Sequence, residues 1–264
     1  MDVITLLILL LIVVAIILWA SAKKYLGGGL SDKMKKRVEK EIAELRKIAD
    51  DNKVNISNEL QDIDFKLKGR NIHITLPDKY PFSNPTINEF TIDSWDGENK
   101  LTEHVKRFAK DHLMLVYCHP RKIDLNYPGT HFQVPNFNVL LNEKGMQNAE
   151  VFAVDIEIPE RTRGDLKADG FNDQLLERNK EMFDMVWLPD CGGPWYTYQN
   201  SLTDKSKFIE LIKKVSKIVK PGGTLMLSKF LLFKLEEIVD AIKDDFKEVK
   251  IKTFADNQYI QITI

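Results

Sequence analysis

Residues Phe183 to Tyr198 read FDMVWLPDCGGPWYTY, an apolar run that breaks into Pro189-Asp190-Cys191-Gly192-Gly193-Pro194. Phe183–Leu188 is short, apolar but for Asp184, and bounded by a turn signal, the pattern of a strand buried on both faces. Strands of that kind belong to parallel sheets, so the neighbouring segments decide the fold. Upstream, Ala149–Ile156 (AEVFAVDI) is a second strand carrying Asp155 at its end, Leu113–Cys118 (LMLVYC) is a third apolar run, and Asp165–Ala168 is a short strand-like piece. Downstream, Ser206–Val219 repeats apolar residues at helical spacing through Phe208, Leu211, Ile212, Val215 and Ile218. Lys220-Pro221-Gly222-Gly223 is expected to stop that helix, and Thr224–Leu227 resumes β. Leu231–Phe246 is helical again, and EVKIKTF and QYIQITI, joined through Ala255-Asp256-Asn257, form a terminal hairpin. Alternating strands and helices predict an α/β chain with a doubly wound, mostly parallel sheet and a C-terminal antiparallel hairpin.

The other end reads differently. Val3–Ala20 is an apolar segment with Thr5 as its single polar member. As a helix it would reach about 27 Å, close to the roughly 30 Å hydrocarbon core. Ala20-Ser21-Ala22 resembles a signal-peptidase site, so a cleaved signal peptide is the rival reading. Asp2 stands where a basic n-region belongs, and Lys23, Lys24, Lys33, Lys35, Lys36 and Arg37 follow the segment. A retained single-pass anchor, with the bulk of the chain on the cytosolic side, is the expectation. Gly27-Gly28-Gly29 then marks a linker, and Met34, Val38, Ile42, Leu45 and Ile48 an amphipathic helix. Three strand-like pieces follow, then PDKYPFSNPTI, and Leu101–Leu115 reads as another helix. The expected division is 1–22 anchor, 23–30 linker, 31–115 small α+β module and 116–264 sheet domain.

A net charge of -1 excludes the strong basic footprint of a general nucleic-acid binder. Cys118 and Cys191 are the two cysteines, with no CxxC, so no zinc ribbon or disulfide framework is expected, and no metal.

Three resemblances add to this. Tyr80-Pro81-Phe82-Ser83-Asn84-Pro85 fits YPxxxP, preceded by a strand and a charged helix. This order resembles the RWD domain and the ubiquitin-conjugating-enzyme fold, over roughly Ser31–Leu115. No Cys stands at the thioester position, so the resemblance implies a module that binds a protein partner rather than conjugates. The second half, about residues 113–264, resembles the class I S-adenosylmethionine-dependent methyltransferases, with a Rossmann-like sheet. The likeness rests on Asp155 at a strand end, on VKPGGTLMLS and on the terminal hairpin. The arrangement also resembles uncharacterised proteins of large DNA viruses, with no motif behind that likeness.

The methyltransferase resemblance implies S-adenosylmethionine as cofactor, with Asp155 on the ribose hydroxyls and Asp169 as a second cofactor-binding residue. A carboxylate accepts two hydrogen bonds from a vicinal diol, although a strand-end acid also serves as a helix cap. Asp190 and Trp195, in the loop after Phe183–Leu188, are the candidate catalytic residues. Asp190 is placed to orient a substrate amine or simply to form a turn, and Trp195 to stack on a planar group. One departure counts against the cofactor: Cys118–Pro128, after the first parallel strand, contains no glycine, and close backbone approach to a ligand favours one. Three functions stay open: a degenerate or atypical methyltransferase-like protein, an active tethered methyltransferase, and a non-catalytic scaffold.

Overall fold

A computed structural model describes residues 32–117, 144–155, 166–167, 171–188, 204–228, 233–254 and 257–264. The helices are α1 (Asp32–Ile48), α2 (Leu101–Val105), α3 (Asp173–Arg178), α4 (Lys205–Ser216) and α5 (Leu235–Ile242). A 3-10 turn at Lys106–Ala109 follows α2. The strands are β1 (Val54–Ile56), β2 (Asp62–Leu67), β3 (Arg70–Thr75), β4 (Thr86–Ile87), β5 (Phe90–Ile92) and β6 (Leu113–Tyr117). They continue with β7 (Glu150–Asp155), β8 (Leu166–Lys167), β9 (Phe183–Leu188), β10 (Val219–Ser228), β11 (Glu248–Phe254) and β12 (Asn257–Thr263).

All of these strands join one sheet, in the order β1-β2-β3-β4-β5-β8-β7-β6-β9-β10-β12-β11. From β8 to β10 every pairing is parallel, and β12 enters antiparallel between β10 and β11. β6 is buried at every position, as a central strand covered on both faces must be. From β6 the chain runs outward through β7 to β8, then returns to the other side of β6 for β9 and β10.

Alternation along the strands divides the core into two faces. Leu115, Val154, Val186, Leu188, Leu225 and Leu227 share a cluster with Leu175 of α3, Phe208 and Ile212 of α4, and Ile238 and Ile242 of α5. Met114, Val116, Met185, Trp187, Met226 and Tyr259 form the other face with Met146, and no described helix contributes to it. α4 begins one residue before the expected Ser206, capped by Asp204 accepting from the Ser206 amide, while α5 is shorter than the expected Leu231–Phe246.

Several expectations need correction. Among the described residues no helix is long and apolar enough to cross a membrane. Val3–Ala20, on which the N-terminal membrane helix rested, lies outside the described residues. The membrane anchor and the single-pass placement with a cytosolic bulk therefore lose their structural basis. The fold is also not a small α+β module followed by a separate sheet. β5 pairs antiparallel with β8 (Thr91↔Lys167, Ile92↔Leu166), so the N-terminal meander extends the parallel sheet. Its residues share a core with α3, α4 and α5.

A polar lock secures that join. Asn179, just past α3 and fully buried, donates from Nδ2 to the Asn88 carbonyl at 2.8 Å and the Leu175 carbonyl at 2.7 Å. Asn88, also fully buried, accepts from the His73 amide at 2.8 Å and donates to the Asn71 carbonyl at 3.1 Å.

The helix expected over Leu101–Leu115 is shorter, because Leu113–Leu115 belongs to β6. Lys220-Pro221-Gly222-Gly223 does not cap a helix either. It lies inside β10 as an irregularity between Val219 and Thr224, where the register with β9 shifts. Gly222, at φ +79°, donates to the Ile264 carbonyl at 2.8 Å, and the Ile264 amide donates to Gly223 at 3.1 Å. The glycines thus admit the last strand's end rather than terminating α4. A Cβ on Gly223 would stand 2.8 Å from the Asp184 carbonyl oxygen and 2.9 Å from that of Lys220.

Two outcomes follow for urea unfolding. Gly223→Ala should lose about 1–3 kcal/mol, the usual cost of forcing a methyl into packed structure. Asn179→Ala, which strips buried carbonyls of their donor, should lose about 1–3 kcal/mol while leaving one transition rather than two.

Candidate functional site

In an open parallel sheet the ligand crevice lies outside the carboxyl ends of the strands, where the strand order reverses. Here that reversal falls between β6 and β9. The registers bring the strand ends level: Tyr117 pairs with Val154, Val116 with Trp187, and Leu188 with Leu227. β7 reaches one residue further, to Asp155, which pairs with Lys167 of β8.

The floor beneath this edge is aromatic. Tyr117, the last residue of β6, lies stacked on Phe171 with ring centroids 4.9 Å apart and planes 11° from parallel. Tyr117 is 1% exposed and Phe171 4%, so the pair is core rather than an open platform. On the opposite face Trp187 is buried beside Met185, Met226 and Tyr259, so Trp187 is core as well. Methionine there fills irregular space without imposing one shape.

Asp155 stands at the carboxyl end of β7, one strand from the reversal. Asp169, Asp190 and Trp195 lie outside the described residues, as do Cys118 and Cys191. Asp190 follows Leu188, the end of β9, by two positions, and Asp169 follows Lys167, the end of β8, by two. The structure brings the strands that lead to these residues to one edge and does not itself place the residues. Among the described residues no group of three or more His, Cys, Asp or Glu side chains is arranged to hold a metal ion.

The amino edge is held by charge. Asp184 of β9 accepts from the Leu113 amide at 2.8 Å and from Lys220 Nζ at 3.0 Å. Arg70 of β3 approaches the same carboxylate at 3.8 Å and donates to the carbonyls of Phe108 and Lys110, each at 2.7 Å. Burial pulls the Arg70 pKa down while the Asp184 and Asp111 carboxylates oppose it. A polar hollow of about 590 Å³ opens here, between Lys110, Asp111, His112 and the segment Gly145–Glu150. It precedes β6 and β7 and so lies at the edge opposite the crevice.

Sequence reasoning missed the Tyr117–Phe171 stack and the Asp184 junction. No local signal marks either, because both pair residues far apart in the chain.

No protein-family model and no curated protein matches the chain. Among solved structures it is similar to an O-methyltransferase family protein from Burkholderia thailandensis, at 13% identity and a TM-score of 0.38. That match covers 60% of this chain and 52% of the other, so the chain spans about half its length. It is also similar to a 16S rRNA (adenine(1408)-N(1))-methyltransferase from Catenulisporales acidiphilia, at 11% identity, 66% and 94% coverage and a TM-score of 0.37. Human Methyltransferase-like protein 13 in complex with SAH matches at 14% identity, 61% and 75% coverage and a TM-score of 0.35. These neighbours are methyltransferases, and likenesses this loose carry no argument about function. None of the three is an RWD domain, a conjugating enzyme or a viral protein, so those resemblances gain no support.

The aromatic floor can be probed directly. Tyr117→Ala should lower the unfolding free energy by about 3–5 kcal/mol, as other buried aromatic truncations do, measured by urea unfolding at constant slope.

Proposed function

We propose that this chain is a methyltransferase-like protein of degenerate or atypical type, binding S-adenosylmethionine weakly or not at all. The observation that carries the reading is the strand order β8-β7-β6-β9-β10-β12-β11 with Asp155 closing β7. A carboxylate residue at that strand end supports the reading, because a carboxylate can accept both hydrogen bonds of a ribose diol. The rest of the edge fits a nucleoside cofactor poorly. β6 ends in a buried, stacked tyrosine, and the eleven residues that follow, Cys118–Pro128, contain no glycine to bring backbone close to a ligand. No catalytic step is assigned to Asp190 or Trp195 on this reading.

An active enzyme is the second reading, favoured by Asp155 itself. A scaffold role for the N-terminal meander is compatible with either. Phe82 favours it: this ring is 86% exposed on the proline corner, the one large apolar side chain so exposed among the described residues. Aromatic side chains are the type that anchors protein interfaces.

Calorimetric titration of the chain with S-adenosylmethionine and S-adenosylhomocysteine separates the readings. The degenerate reading expects either no heat and no shift in melting temperature, or binding no tighter than the millimolar range. Micromolar binding abolished by Asp155→Ala would establish the cofactor site and overturn it.

A further inference from the structure

The corner Pro77–Phe82 is held from below by a chain of aromatic and charged groups. Trp95 Nε1 donates to the Pro81 carbonyl at 2.7 Å, and its ring lies 5.5 Å from that of Tyr80. Tyr80 is fully buried and donates its hydroxyl to the Glu41 carboxylate of α1. Arg37, one turn earlier on α1, pairs with Glu41 at 2.9 Å and donates to the Gly97 and Asn99 carbonyls. Its guanidinium lies over the rings of both Tyr80 and Trp95, at 5.5 and 5.7 Å.

Trp95 also meets His104 of α2, with ring centroids 5.8 Å apart. His104 Nε2 is buried and has no hydrogen-bond partner. A neutral imidazole tolerates this, since an orphaned acceptor costs little beside an orphaned cation. A protonated one does not: it would bring an N–H donor without an acceptor and a positive charge into a cluster that already holds Arg37.

The nearby carboxylates, Glu103 and Asp96, offset that cost only in part. Arg107, on the 3-10 turn, is a second cation and is fixed by the Glu150 carboxylate at 2.5 Å and the Val151 carbonyl at 3.1 Å. Asp96, from the loop after Trp95, has one carboxylate oxygen engaged by the amides of Glu98 and Asn99. Glu103, on the same helix as His104, is exposed to solvent.

We infer that His104 is an acid-sensitive latch under the proline corner: neutral, it packs against Trp95 and the corner is held; protonated, it releases Trp95 from Pro81 and loosens the segment that presents Phe82. Burial first, and then Arg107, hold the His104 pKa below the ordinary value. The folded state therefore prefers the neutral ring. The latch is fully closed above the ordinary histidine value of about 6.5 and opens as pH falls below it.

The test is an NMR titration of the whole chain from pH 7.5 to 5, with the His104 ring signal identified by its loss in His104→Gln. Two readouts are followed: the ring titration and the hydrogen-exchange protection of the Trp95 indole N–H, corrected for intrinsic exchange. The expected result is titration below the usual histidine range, with up to about tenfold less Trp95 protection per pH unit once protonation begins. His104→Gln and His104→Phe should each make that protection independent of pH, whatever their effect on stability at pH 7.5. Titration at or above the ordinary value, unchanged protection down to pH 5, or pH dependence surviving in both variants would each overturn the inference.

Discussion

The carboxylate of Asp184 is the point at which this sheet is tied together. It sits on β9, accepts the first amide of β6, pairs with Lys220 of β10 and faces Arg70 of β3. A buried or half-buried carboxylate is costly to desolvate and is kept only where several donors converge on it. Here those donors come from the parallel strands and from the meander, so one side chain sets the level at which four strands begin. The glycine pair beside it answers to the same constraint, because a side chain at Gly223 would collide with the Asp184 backbone.

Strands that begin level and run parallel also end level. The alignment of Tyr117, Val154, Leu188 and Leu227 at the carboxyl edge follows from the anchoring at the amino edge. The structural and the candidate functional ends of the sheet are thereby separated. Charge pairs and the polar hollow lie at one end; Asp155 and the paths to Asp169 and Asp190 lie at the other. The join at Asn88 and Asn179 works differently, since it uses amides alone and each donor meets a carbonyl with no net charge to bury.

The parallel strands were legible in the sequence because their burial on both faces leaves apolar runs, unbroken in LMLVY and interrupted only by Asp184 in FDMVWL. Asp155 was legible for the same reason, as the first charged residue after such a run. The union of meander and sheet was not. It rests on two residue pairs, Thr91↔Lys167 and Ile92↔Leu166, too short to leave a periodic signal. Lys220–Gly223 misled because Pro-Gly-Gly ends helices more often than it forms a bulge, and only the approach of Ile264 distinguishes the two. The Tyr117–Phe171 stack was hidden because nothing in a lone aromatic states which other ring it will meet.

The methionine-bearing face of the sheet is tolerant of shape. Met114, Met185 and Met226 stand on neighbouring strands and line the face with Trp187 and Tyr259. Unbranched thioethers re-pack at small cost, so this side of the sheet accepts differently shaped covering residues without disturbing strand register. The opposite face, built from Leu, Ile, Val and Phe against α3, α4 and α5, has no such latitude. The two faces should therefore bear substitution unequally: a change of side-chain shape costs less beside Met114, Met185 and Met226 than beneath α4 and α5.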